Sequence, residues 1–178
     1  MRTLSTDRCT LETLREANAV AMLRVLANPA IDEFENATPP SPQWLAQRYR
    51  RLESRGSPDG SQHWLNGVVR PPGEVLAGYV QATVLSSAIA YVAYELNSRH
   101  WRQGIGSRAV RAMLDELREH NGVHTFVAVL KAANFRSAAL LRSLGFDPGD
   151  PAQRALHRDE PDELVMVRPA ATDADLSP

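Results

Sequence analysis

The sequence predicts a mixed α/β (α+β) domain in which helices flank a sheet. Two observations carry that expectation. Strand-like and helix-like apolar patterns follow one another in the order βααβββαβαβ, with no internal repeat. Three strand candidates also stand in succession before the first strand–helix–strand unit, which argues against a doubly wound sheet.

Residues 9–14, Cys9-Thr10-Leu11-Glu12-Thr13-Leu14, alternate in character and read as a short strand. Ala19, Met22, Leu23 and Leu26 then fall at i, i+3, i+4 and i+7, the stripe of an amphipathic helix. Asn28-Pro29 ends it, because a residue before proline is biased away from the α region. An irregular, acidic segment follows, closing at Pro39-Pro40. Ser41-Pro42 reads as an N-cap with proline at the first helical position, and Leu45, Tyr49 and Leu52 give the second helix its apolar face. Gly56-Ser57-Pro58-Asp59-Gly60 stops it.

Strands are expected at residues 64–70, 76–84 and 88–96, the first two separated by Pro71-Pro72-Gly73. The strongest helix spans residues 104–120, with Val110, Met113, Leu114 and Leu117 on one face and Asn121-Gly122 as its stop. Residues 125–130 form a nearly continuous apolar run, the pattern of a buried strand. Asn134 opens another helix, with Ser137, Leu140, Leu141 and Leu144 on one side and Gly145 at its end. Residues 163–168 are the last strand. One domain over residues 1–169 is expected, with a disordered tail at 170–178.

Twenty Lys and Arg against 21 Asp and Glu give a net charge of −1, so overall charge supplies no reason to expect a nucleic-acid or acidic-membrane partner. The single cysteine, Cys9, excludes an intrachain disulfide framework, and no Cys/His cluster has zinc spacing, so no metal is expected. Residues 1–7 lack an apolar segment, and the other apolar stretches are of strand length. A soluble, cytoplasmic protein, monomer or homodimer, is the expectation.

The chemistry concentrates where a strand and its connecting loop meet the strongest helix, at Arg102-Gln103-Gly104-Ile105-Gly106-Ser107. A helix N-terminus leaves unpaired N–H groups and a partial positive charge, which suit phosphate oxygens. Glycine lets the backbone approach an anion closely. The pattern Gly104-x-Gly106-x-x-Ala109 formally matches a dinucleotide fingerprint, but residues 97–103 separate it from its strand and the next strand ends at Lys131 rather than at an acid. A GxxxxGK[ST] loop is absent. A pyrophosphate or similar anion is the expected ligand.

The strand Ala88-Ile89-Ala90-Tyr91-Val92-Ala93-Tyr94-Glu95-Leu96, followed by Trp101-Arg102-Gln103-Gly104-Ile105-Gly106-Ser107, resembles the central motif of the GCN5-related N-acetyltransferase (GNAT) superfamily. Asn134-Phe135-Arg136-Ser137 with Leu144-Gly145-Phe146 is similar to its next motif, and the resemblance covers roughly residues 8–168. Trp101 is similar to the ribosomal-protein N-terminal-alanine acetyltransferase branch. The resemblance implies a mostly antiparallel sheet with a splayed central parallel strand pair. It also implies acetyl-coenzyme A (acetyl-CoA) as co-substrate and a primary amine as acceptor, attacking the thioester directly.

Carried onto this chain, the resemblance gives the pyrophosphate to the amides of Arg102, Gln103, Gly104, Ile105, Gly106 and Ser107. Tyr94, Glu95 and Leu96 would offer backbone groups to the pantetheine and thioester. Asn134 would reach the pantetheine arm, serve as an N-cap, or do both. Glu95, at the cleft end of its strand, is the candidate base, with a solvent-facing strand residue as the alternative. Leu141 stands where many members of the superfamily carry a tyrosine that protonates the leaving thiolate. Either Ser137 or a water does that work or thiolate protonation is not critical, and the acid is unassigned. Asp32, Glu33 and Glu35 lie in the region that lines the acceptor side in that superfamily, and they are either attractors of a cationic amine or an ordinary solvated loop. A non-catalytic acyl-CoA sensor is the competing reading.

Overall fold

A computed structural model describes residues 1–34 and 38–170. Its strands are β1 Leu4–Ser5, β2 Thr10–Thr13, β3 Gln62–Arg70, β4 Gly78–Leu85, β5 Ile89–Leu96, β6 Thr125–Lys131, β7 Asp147–Pro148 and β8 Glu163–Pro169. Its α-helices are α1 Ala19–Leu26, α2 Pro29–Asp32, α3 Pro42–Leu52, α4 Ile105–Asn121, α5 Phe135–Ser143 and α6 Pro151–His157. The eight strands form one sheet in the order β1-β2-β3-β4-β5-β6-β8-β7. Every neighbouring pair is antiparallel except β5 and β6. The mixed, mostly antiparallel sheet with one parallel pair is the expected one.

Helix α4 buries Ile105, Ala109, Val110, Met113, Leu114 and Leu117 in the main core, with Ala90, Val92 and Leu96 of β5 and Phe126 of β6. Leu141 of α5 completes the same layer. A second cluster holds α1 and α3 together through Met22, Val25, Leu26, Leu45 and Tyr49, against Val68 of β3, with Tyr79 of β4 packed on it. The apolar stripes read from the sequence therefore face cores. No helix among the described residues is long and apolar enough to cross a membrane.

Four short elements depart from the expected order: β1, α2, β7 and α6. The chain after Asn28-Pro29 is helical rather than irregular. Asn28 takes extended backbone, its Oδ1 accepts from Ala30 N at 3.0 Å, and Pro29 occupies the first turn, where its missing N–H costs nothing. Helix α6 begins in the same way, at Asp150-Pro151, with Gln153 closing a capping box. It buries no residue, so it carries no apolar periodicity to read. The expected strand start at residue 76 moves to Gly78, although Leu76 and Ala77 are buried. Residues 171–178, most of the expected tail, lie outside the described residues.

Candidate active site

Parallel strands β5 and β6 pair only through Ile89, Ala90 and Tyr91 opposite Thr125, Phe126 and Val127. Beyond Tyr91 they diverge, although β5 continues to Leu96 and β6 to Lys131. Strand alternation decides which β5 groups face the gap. Ala88 O accepts from His124 N at 2.9 Å on the β6 side, and Asn97 N donates to Ala77 O at 2.8 Å on the β4 side. With a two-residue period, the backbone groups of Val92, Tyr94 and Leu96 point into the gap. Those of Glu95 point to β4, so Glu95 supplies no backbone group there, contrary to the expectation. Leu96 O is already taken by Trp101 Nε1 at 2.8 Å, which leaves its N–H.

The gap opens into a cleft of about 900 Å³, a size suited to a cofactor-sized ligand. Its walls include Tyr94, Glu95, Leu96, Arg102, Gly104, Gly106, Ser107, Asn134 and Ser137. At one end, Arg102 and Gly104 both hold positive φ, 60° and 76°, turning the chain into α4. The first helical bond is Arg108 N to Gly104 O at 3.1 Å, so the amides of Ile105, Gly106 and Ser107 precede the helical ladder. This is an anion cradle of backbone donors.

Side chains of that loop serve the loop itself. Gln103 Nε2 donates to Arg99 O at 2.6 Å, Ser107 Oγ donates to Gly104 O at 2.9 Å, and Ile105 is buried in the core. The hydroxyl of Ser107 therefore spends its proton locally, and its amide is what remains for a ligand. A Cβ on Gly106 would stand 3.1 Å from Leu140 Cδ1, a tight contact that this glycine spares where α4 packs on α5. A Cβ on Gly104 meets nothing within 4 Å, and there the positive φ is the requirement.

On the opposite wall, Asn134 Oδ1 accepts from Ser137 N at 3.1 Å, so Asn134 is the N-cap of α5 while also lining the cleft. Tyr94 Oη lies 2.7 Å from Ser137 Oγ. Burial pushes the Tyr94 phenol up to about 12, against the Ser137 hydrogen bond that lowers it. Glu95 leaves the opposite face of β5, where Tyr79 Oη donates to its Oε2 at 3.1 Å. His100, buried beside the loop, accepts from Arg99 Nε at 2.8 Å through Nε2.

Of the three acidic residues expected on the acceptor side, Glu33 is placed at the end of α2, and Asp32 is the last residue of that helix. Glu35 lies outside the described residues. Glu33 Oε2 accepts from Arg136 Nη2 at 2.6 Å. The Arg136 guanidinium sits 4.8 Å from the Trp101 ring centroid, 5.3 Å from Phe135 and 5.6 Å from Phe34, a cationic plug in an aromatic mouth. Sequence reasoning missed this role for Arg136, although the residue stands inside the Asn134-Phe135-Arg136-Ser137 motif. The phenol of Tyr94 carries no local sequence signal either, because its partner Ser137 stands 43 positions away.

A helix N-terminal anion cradle opening onto a splayed parallel pair defines the class. The chain belongs to the GNAT acetyltransferase family, whose acetyltransferase (GNAT) domain model matches residues 8–147. It is an acetyl-CoA-dependent N-acyltransferase. A curated relative, the uncharacterized N-acetyltransferase p20 of Bacillus licheniformis, is 25% identical over 148 residues, covering 82% of this chain and 83% of the relative. The ribosomal-protein-S5-alanine acetyltransferase from Vibrio fischeri shares the fold, with a TM-score of 0.78, 19% identity, and coverage of 95% of this chain and 97% of that one. So does RimL, a ribosomal L7/L12 alpha-N-protein acetyltransferase in complex with coenzyme A, with a TM-score of 0.78, 16% identity, and coverage of 94% and 98%.

Proposed function

We propose that this enzyme, acting as one domain over residues 1–169 in the cytoplasm, transfers the acetyl group of acetyl-CoA to a cationic primary amine. The acceptor is a protein N-terminus or a small cationic amine, and attack is direct, in a ternary complex. The observation that carries the reading is the junction of unpaired α4 amides with the open edge of β5 in one cleft. The amides of residues 102–107 hold the pyrophosphate. Tyr94 and Leu96 pair with the pantetheine arm along the open edge, and Asn134 reaches it from α5.

An α-amine of pKa about 8, like an aliphatic amine of pKa about 10, is mostly protonated at neutral pH, so the site must favour the neutral form and take the proton that nitrogen loses on acylation. Glu95 is the base and acts from the face of β5 that also carries α1 and α3. A backbone N–H on the open edge stabilises the charge that develops on the thioester oxygen. Ser137 lies on the leaving-group side. Asp32, Glu33 and Glu35 draw the cationic acceptor to the cleft mouth. The names of two fold relatives, a ribosomal-protein-S5-alanine acetyltransferase and a ribosomal L7/L12 alpha-N-protein acetyltransferase, support a peptide amine among the acceptors.

The test is steady-state release of free thiol from acetyl-CoA with a panel of short peptides, polyamines and aminoglycosides. Release with at least one cationic amine is expected. Tight acetyl-CoA binding with no release across the panel would leave an acyl-CoA sensor as the better description.

A further inference from the structure

Four hydroxyl side chains line the cleft: Tyr94, Ser107, Ser137 and Ser143. Two of them are committed to helix carbonyls, Ser107 Oγ to Gly104 O at 2.9 Å and Ser143 Oγ to Leu140 O at 2.6 Å. Tyr94 and Ser137 are bonded to each other at 2.7 Å. Two hydroxyls sharing one hydrogen bond leave one O–H proton over. The protein acceptor at hand for it is Ser137 O, 3.2 Å from the phenol and already part of the α5 ladder. Leu141, one turn further along α5, is apolar and buried. With Ser137 Oγ donating to Oη, the phenolic proton of Tyr94 is held by Ser137 O alone, at 3.2 Å, and can be redirected to a ligand in the cleft.

The position of that proton relative to Glu95 gives it a use. Tyr94 and Glu95 are consecutive residues of β5, so their side chains leave opposite faces of the strand. The open edge of β5 runs between them. A thioester lying on this edge has the candidate base on one side and the Tyr94–Ser137 pair on the other.

We propose that Tyr94 is the proton donor to the sulfur that leaves acetyl-CoA, and that Ser137 positions its phenol by donating to Oη. The inference rests on the acetyl-transfer reading. The ammonium proton leaves to solvent before attack; in the step, the neutral nitrogen forms the C–N bond and loses a second proton to Glu95. The C–S bond breaks with its electron pair on sulfur, and the phenolic proton passes to that sulfur. The phenolate regains a proton from solvent through Ser137 Oγ, and Glu95 returns its own to solvent, so protons balance. A phenol is a far better acid than a serine hydroxyl, and the direction of its titration keeps Tyr94 protonated throughout the neutral range.

A donor that protonates the sulfur also hydrogen-bonds the thiolate of bound CoA and lowers that thiol's pKa. The thiol of CoA in the binary complex is titrated by thiolate ultraviolet absorbance, which needs no acceptor. A hydrogen bond to a charged group sets the expected size, so Tyr94→Phe raises the bound thiol's pKa by about one unit or more. CoA affinity by calorimetry stays within about three-fold. Ser137→Ala raises the pKa by less. An unchanged titration in a Tyr94→Phe protein that binds CoA overturns the proposal and leaves acetyl transfer standing. A Ser137→Ala shift as large as that of Tyr94→Phe overturns it in favour of Ser137. If Tyr94→Phe does not fold, an unchanged titration in Ser137→Ala overturns it. A wild-type protein that binds no CoA removes the acetyl-transfer reading itself, and this inference with it.

Discussion

Arg136 Nη2 donates to Glu33 Oε2 at 2.6 Å, joining the first turn of α5 to the end of α2 across residues 103 positions apart in the chain. Both side chains are substantially exposed, 41% and 55%, so the pair adds little to stability. Its consequence is electrostatic. Glu33 does not stand as an isolated negative charge at the cleft mouth, and Arg136 does not stand as an isolated positive one.

A charge cycle follows from that pairing. Glu33→Gln uncovers the Arg136 cation and is expected to raise the KM of a cationic acceptor by about five-fold at low ionic strength, an effect of roughly 1 kcal/mol that salt erodes. Arg136→Ala uncovers the carboxylate and lowers the same KM. The double variant returns towards wild type. Equal KM values in all four proteins would show that the mouth does not sense acceptor charge.

Glu95→Gln tests the base. The carboxylate leaves β5 on the face opposite Tyr94, and its backbone is turned to β4, so donor binding does not depend on it. Turnover is expected to fall by about 10²-fold or more with acetyl-CoA affinity nearly unchanged. Turnover within a few-fold of wild type across the neutral pH range would remove Glu95 from the chemistry.

The two glycines of the loop separate packing from conformation. At Gly106 a side chain meets Leu140 Cδ1 at 3.1 Å and presses on the α4–α5 contact at the cradle. Gly106→Val is expected to weaken acetyl-CoA binding by ten-fold or more, about 1.4 kcal/mol, measured by calorimetry. Gly104→Ala meets no atom within 4 Å but must hold φ near 76°. Its expected cost is about 1 kcal/mol of folding stability, read from urea unfolding. Unchanged donor affinity in a folded Gly106→Val protein would sink the pyrophosphate assignment.

What the sequence made legible follows from where its signals are strong. Helix α4 is 17 residues long with one apolar face, so its period is unambiguous, and it fixes the cradle. Helices α2 and α6 have four and seven residues, too few for a period, and only their Asn28-Pro29 and Asp150-Pro151 starts marked them. The α4 amides needed only local sequence, because Gly104 and Gly106 are neighbours of the helix start. The Tyr94–Ser137 and Glu33–Arg136 contacts span 43 and 103 positions, and no periodicity encodes a partner at that distance.

The last expectation concerns pH and His100, which is only 3% exposed and lines the cleft. Its Nε2 accepts from Arg99 Nε, which requires the neutral ring with its proton on Nδ1. Burial, then the Arg99 charge, lowers its pKa below 6.5, with Glu74 at 3.8 Å opposing them. His63 is shifted in the same direction by burial, the N-terminal charge and Arg55. Above pH 6.5 both rings are neutral in the folded and unfolded chains, and their contribution to stability is complete. As pH falls below 6.5, the unfolded chain takes up protons first and stability declines, until the folded rings titrate in turn. Urea unfolding midpoints should therefore drop as pH falls below 6.5, starting above the range in which ordinary carboxylates titrate. His100→Gln keeps an acceptor for Arg99 without a titrating ring, so its slope should be shallower, with the remainder carried by His63. A His100→Gln protein with the full wild-type slope would show that the ring is not held neutral by its surroundings.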